Sequence, residues 1–150
     1  MSKTFVFSIV FATVIILLSI AGIITGNSYD LFSKLGLSTT DGSLDSAGLT
    51  LNDLFLSIFA SGTGLLATVS AIGAIFIGYG VSQDIATGIR TGFATGFGVW
   101  ITSDIGRLFT DLPNIIGSDF AALIIIMKTL LILGFIGFIV GLVQFATGAD

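Results

Sequence analysis

Charged residues are absent from this chain over long intervals. None falls between Lys3 and Asp30 or between Asp53 and Asp84, and only Lys128 falls between Asp119 and Asp150. Residues 5–24, 54–81 and 120–143 fill those intervals with mostly apolar side chains. A hydrocarbon layer about 30 Å thick is crossed by about 20 residues of helix, so each block is long enough to span a bilayer. Between blocks one and two lies a polar stretch in which Tyr29, Phe32 and Leu35 recur at helical spacing. They predict a short helix in the headgroup region, where aromatic side chains favour the interface. The run STTDGSLDSAG, residues 38–48, is turn and loop chemistry, with Asp41-Gly42 as a tight turn. Thr50 and Asp53 resemble a capping box at the start of the second span.

A second pattern lies between blocks two and three. TGIRTGFATGFG, residues 87–98, repeats a Thr-Gly pair every four residues. Thr87, Thr91 and Thr95 form one column and Gly88, Gly92 and Gly96 the next, while Ile85, Ile89, Phe93, Phe97, Ile101, Ile105 and Phe109 add a bulky ridge. In lipid, burying apolar side chains gains a helix nothing over the acyl chains, so association relies on close backbone approach at small residues. The bare column therefore predicts a groove for another helix. Similar small-residue seams occur in the second span (Ser57, Ser61, Gly64, Thr68 and Ala71) and in the last (Gly137-xxx-Gly141). Gly22-xxx-Gly26 is a further, weaker match.

Whether residues 85–103 enter the membrane turns on opposing effects. Arg90 is costly at mid-membrane but much less so near a helix end, where it can snorkel. With three spans, Lys3, Arg90, Arg107 and Lys128 share one side and only Lys34 the other, as the positive-inside bias favours; four spans remove that bias. An in-plane helix, however, needs a strongly polar face, and Thr, Gly and Ala with one Arg do not supply it. The expectation is an all-α, polytopic integral membrane protein with three transmembrane helices and a fourth, glycine-zipper membrane-embedded helix (85–103). It forms a single membrane domain over 1–150, with helices at about 4–25, 53–81, 85–103 and 119–147 and polar loops at 26–52 and 104–118. Ser118 is the expected cap of the last helix. Met1-Ser2-Lys3 is a weak n-region and Ser19-Ile20-Ala21 loosely resembles a cleavage site, but the apolar run continues to Ile24 and reads as an anchor.

Composition narrows the chemistry. Only 9% of the 150 residues are charged and 54% are hydrophobic, with a mean hydropathy of +1.11, against about 25% charged in soluble domains. All nine acidic residues are Asp, a loop and cap residue, so the net charge of −4 is assigned to the connections. That balance argues against nucleic-acid binding. Neither Cys nor His occurs, which removes disulfides and the usual zinc, iron and haem ligands. No metal, cofactor or catalytic role is expected. A Ser–Lys dyad of Ser57 or Ser61 with Lys128 has no fixed geometry, and DGSLD, residues 41–45, lacks the remaining spacing of a calcium loop. Lys128, inside the last span, and Arg90 are the candidate intramembrane or lipid-headgroup charges. Lys128 is expected to snorkel towards Asp104, Asp111 or Asp119.

These features predict a non-catalytic structural or assembly subunit of a membrane-embedded oligomer or complex. Its partners would be membrane lipids and copies of itself or other membrane subunits. The alternative is a small pore-forming or transport component, channel-like or holin-like, with the threonines of 87–95 facing water and Arg90 and Lys128 favouring anions. No motif is specific to a known family.

Overall fold

The computed structural model describes residues 3–24, 26–34, 62–117 and 119–148. Among them the chain is helical throughout: α1 (Lys3–Ile20), α2 (Asn27–Lys34), α3 (Gly62–Ser82), α4 (Ile85–Ile116) and α5 (Ala121–Thr147). Three of these, α1, α3 over Thr63–Ser82, and α5, are long and apolar enough to cross a membrane, which is consistent with a membrane location. Several calls on local structure lie outside the described residues: Ser57, Ser61, the Asp41-Gly42 turn, the Thr50–Asp53 box and the Ser118 cap.

Two boundaries differ from the sequence reading. Helix α1 stops at Ile20 rather than near residue 25, because Gly22 takes a left-handed conformation (φ 72°). The Gly22 N–H then donates to Ser19 O (3.0 Å) and the Ile23 N–H to Leu18 O (3.0 Å), closing the helix in a Schellman motif. Helix α4, by contrast, does not end at 103. It runs through the stretch read as a loop, 104–118, to Ile116, with Asp104, Arg107, Asp111 and Pro113 inside it. The polar residues look like loop composition, but the apolar ones between them, Ile101, Ile105 and Leu112, recur at helical spacing and are buried.

Helix α4 is the centre of the arrangement and packs on α3, α5, α2 and α1. It joins α3 through a two-residue turn in which Gln83 adopts φ 55° and Asp84 caps the new helix. On its other side α1 and α5 pair in opposite directions. Their shared core with α4 is built on Ile15, Ile101, Ile105, Leu131, Phe138 and Leu142. Phe138 is fully buried, with the rings of Phe11 and Phe97 at 6.0 and 6.2 Å. Outward positions are largely apolar: Phe76, Ile77 and Val81 on α3 are 70%, 69% and 83% exposed.

Candidate functional site: the glycine seams and the polar ends of the bundle

The Thr-Gly ridge faces α3. A Cβ on Gly88 would lie 3.0 Å from Ile75 O, one on Gly92 2.9 Å from Ala71 O, and one on Gly96 3.3 Å from Ala67 O. From the other helix, a Cβ on Gly78 would come within 3.2 Å of the Gly88 Cα. Backbone carbonyls of α3 come close at all three α4 glycines, joined at Gly92 by the Ile75 side chain and at Gly96 by the Ala71 Cβ (2.9 Å), so an added side chain meets atoms of α3 at each. The helix that occupies the groove is the chain's own α3. Of the seam expected on α3, Gly64 is buried and Thr68 and Ala71 are half-buried; Thr68 Oγ1 donates to Gly64 O (2.9 Å).

The threonines turn their hydroxyls back onto the helix. Thr91 Oγ1 donates to Thr87 O and Thr95 Oγ1 to Thr91 O, each at 2.8 Å. Thr87 Oγ1 donates to the Asp84 carboxylate at 2.7 Å. Hydroxyls satisfied in this way are ordinary helix-packing groups. Asp84 also accepts from the N–H groups of Thr87 (2.9 Å) and Ala86 (3.2 Å). The Thr87 hydroxyl, then those two N–H groups, hold its carboxyl below the usual carboxylate value.

The GxxxG of α5 is occupied by α1. A Cβ on Gly137 would lie 2.6 Å from the Phe7 ring, and one on Gly141 would meet Thr4 O at 2.6 Å. Ser8 Oγ sits in the same contact, 3.0 Å from Phe138 O. Here bare positions serve as cups for a ring and a hydroxyl.

Lys128 lies in α5 with its Nζ 4.5 Å from the centroid of the Phe109 ring, a cation–π contact on the stretch of α4 between Asp104 and Asp111. Arg90 is exposed and reaches the C-terminal end of α5, where its Nη1 is 3.2 Å from where a Gly148 Cβ would sit. A cation there complements the carbonyl end of the helix dipole.

Sequence reasoning missed Asp104. Read as one of the loop aspartates, it is instead fully buried in α4. Its carboxylate accepts from the N–H of Asn27 (2.7 Å), the N–H of Ser28 (3.2 Å) and the Ser28 hydroxyl. The Ser28 oxygen also accepts from Trp100 Nε1 (3.1 Å), and Asn27 Nδ2 donates to Ser103 Oγ (2.9 Å). Asp104 thus caps α2 from across the fold, supplying the acceptor that an N-cap residue usually supplies locally. Gly26 leaves the room: a Cβ there would fall on the Asp104 carboxylate. The only hint in the sequence is the run of cap-type residues Asn27 and Ser28 after Gly26, whose partner lies 76–77 positions away. Among the described residues, no three His, Cys, Asp or Glu side chains gather as a metal site.

Compared with known proteins, the chain matches no family model, no curated protein and no solved structure.

Proposed function

We propose that this chain is a non-catalytic structural subunit of a membrane-embedded assembly. In this reading α4 is embedded beside α1, α3 and α5, and α3 presents its outer face to a neighbouring subunit. The observation that carries the proposal is the second pair of bare positions on α3. Around Gly73 and Gly80 nothing lies within 4 Å of where a Cβ would sit. Seven residues apart, they fall on one side of the helix, among exposed Phe76, Ile77 and Val81. Glycine weakens a helix by about 1 kcal/mol relative to alanine, and contact with lipid gives nothing back. A second helix drawn close at these positions does. Gly88, Gly92, Gly96 and Gly98 of α4 and Gly134, Gly137 and Gly141 of α5 are occupied within the chain; Gly106 of α4 is open too but stands alone, whereas Gly73 and Gly80 make a pair on one face.

The test is native mass spectrometry and crosslinking of the full chain in mild detergent. An oligomer or a copurifying subunit is expected, and the Gly73→Leu/Gly80→Leu double variant should lose it with helical content unchanged. A chain that stays monomeric at every concentration and brings no partner with it would overturn the proposal.

A further inference from the structure

We infer that the groove between α3, α4 and α5 is a binding site for an anionic phospholipid, with one acyl chain in the groove and the headgroup phosphate on Arg90. The inference rests on the membrane reading above and goes beyond it by naming a ligand. The groove has a volume of about 560 Å³ and is open along one side. Leu66, Val99, Ile139 and Leu142 give it an apolar lining, and among the described residues the polar side chains in it are Thr63, Thr95, Thr102 and Ser103. Among the described residues no carboxylate or cation lines it, as suits a hydrocarbon occupant.

Position and charge complete the case. On α4 the lining runs from Ala94 to Ser103, about 14 Å of helix at 1.5 Å per residue. That is the depth of one leaflet of a hydrocarbon core about 30 Å thick. Arg90 lies one turn before Ala94, at the end where α1 begins and α5 stops: Thr4 donates to Gln144, and Phe5 stacks on Phe145 at 4.6 Å. Its guanidinium rests beside Gly148, two residues past Ala146 of the lining. The Arg90 charge acts on the nearby Asp84 as the weakest of the causes that lower that carboxyl, whose oxygens are engaged by Thr87 and Ala86. A planar guanidinium with several free N–H donors matches the geometry of a phosphate diester. An exposed cation at the membrane surface, above an apolar groove that descends from it, has the two-part chemistry of an anionic phospholipid.

The experiment reconstitutes the full chain into phosphatidylcholine vesicles and reads the motionally restricted fraction of trace spin-labelled phosphatidylglycerol against spin-labelled phosphatidylcholine. Phosphatidylglycerol is expected to be favoured roughly fivefold, the worth of one cation at a membrane surface. Arg90→Gln should abolish the preference and Arg90→Lys should retain most of it. Thr102→Phe, at an exposed lining position, should abolish the phosphatidylglycerol excess and leave the boundary component common to both lipids, while Thr102→Ala keeps the excess. Added inorganic phosphate should not displace the lipid. Equal restriction of the two lipids, a preference that survives Arg90→Gln or Thr102→Phe, or displacement by inorganic phosphate would each overturn the site. Alkaline washing of the same vesicles separates the two readings: a chain that washes off refutes membrane embedding and the site with it, whereas an embedded chain without lipid preference refutes the site alone.

Discussion

Towards α3, helix α4 presents Gly88, Gly92 and Gly96, and what meets them is the backbone of Ala67, Ala71 and Ile75 with the side chains of Ala71 and Ile75. Towards α1, α2 and α5 the same helix presents Ile101, Ile105 and Asp104, all buried. The first contact depends on side chains being absent, the second on their being present. An interface of the first kind gives tight, extended van der Waals contact and tolerates no addition, because main chain cannot rotate out of the way. An interface of the second kind is sensitive to deletion, because each buried group has partners that nothing else satisfies. One helix therefore has two opposite mutational signatures on its two sides, and each can be broken separately.

The largest effect is expected from adding bulk on the α3 side. In Gly92→Leu the new side chain enters the space held by Ala71 O and the Ile75 side chain. The helices must separate, which costs at least about 3 kcal/mol, at the upper end for overpacking. Thermal unfolding in mild detergent should show the loss, and hydrogen exchange should place it in α3 and the first half of α4. The same change at Gly73, where nothing lies within 4 Å, should leave that unfolding in place. Equal losses at Gly92 and Gly73 would mean that the α3 contact is not what glycine serves here.

Next comes deletion on the opposite side. Asp104→Ala leaves the N–H groups of Asn27 and Ser28 and the Ser28 hydroxyl without their acceptor. The expected cost is about 2–3 kcal/mol, since hydrogen bonds to a charged group are worth about 1.5–3 kcal/mol each and water can recover part of the loss. The amides of Asn27 and Ser28 should exchange faster, with α3 protection unchanged. If α2 keeps its protection, the carboxylate is not its cap. Gly26→Ala should reproduce the loosening from the other partner, since its Cβ would displace the same carboxylate.

The two sides of α4 were unequally legible. The apolar blocks that become α1, α3 and α5 can be read from residue type alone, because hydrophobic length is a local property. The period of Gly88, Gly92 and Gly96 is equally plain, but it identifies a close approach and not the helix that makes it. That this helix is α3 depends on the turn at Gln83 and Asp84 folding the chain back upon itself. Asp104 was not legible. Beside Arg107, Asp111 and Pro113 it has the composition of a loop, and its partners are more than seventy residues away. A tertiary cap leaves no mark at the spacing that sequence patterns read, and the length of α4 was missed for the same reason: its second half is kept helical by what Ile105 and Leu112 pack against.

The smallest effect separates the two sides by pH. Asp84 closes the turn of the α3–α4 pair, and the Thr87 hydroxyl and the N–H groups of Thr87 and Ala86 hold its carboxyl below the ordinary value of 3.8. Among the described residues the opposite connection has no equivalent, since α5 begins at Ala121 and its N-cap, Phe120, supplies no side-chain cap. A carboxyl lowered in the folded state adds stability that is fully present above its unfolded value and is lost as pH falls through its folded one. The contribution of Asp84 is thus constant from about neutral pH down to its ordinary value and fades below it. Asp84→Asn can still cap but does not titrate. Wild type is therefore expected to unfold at a slightly higher temperature than the variant near pH 7, with the gap closing only below about pH 4. The shift is small because the group is exposed and solvent screens it. The gap should be carried by the amides of α3 and the first turns of α4, and should be absent from α1 and α2. A gap that widens on acidification would reverse the sign of the Asp84 contribution and show that the turn is held by something other than this carboxylate.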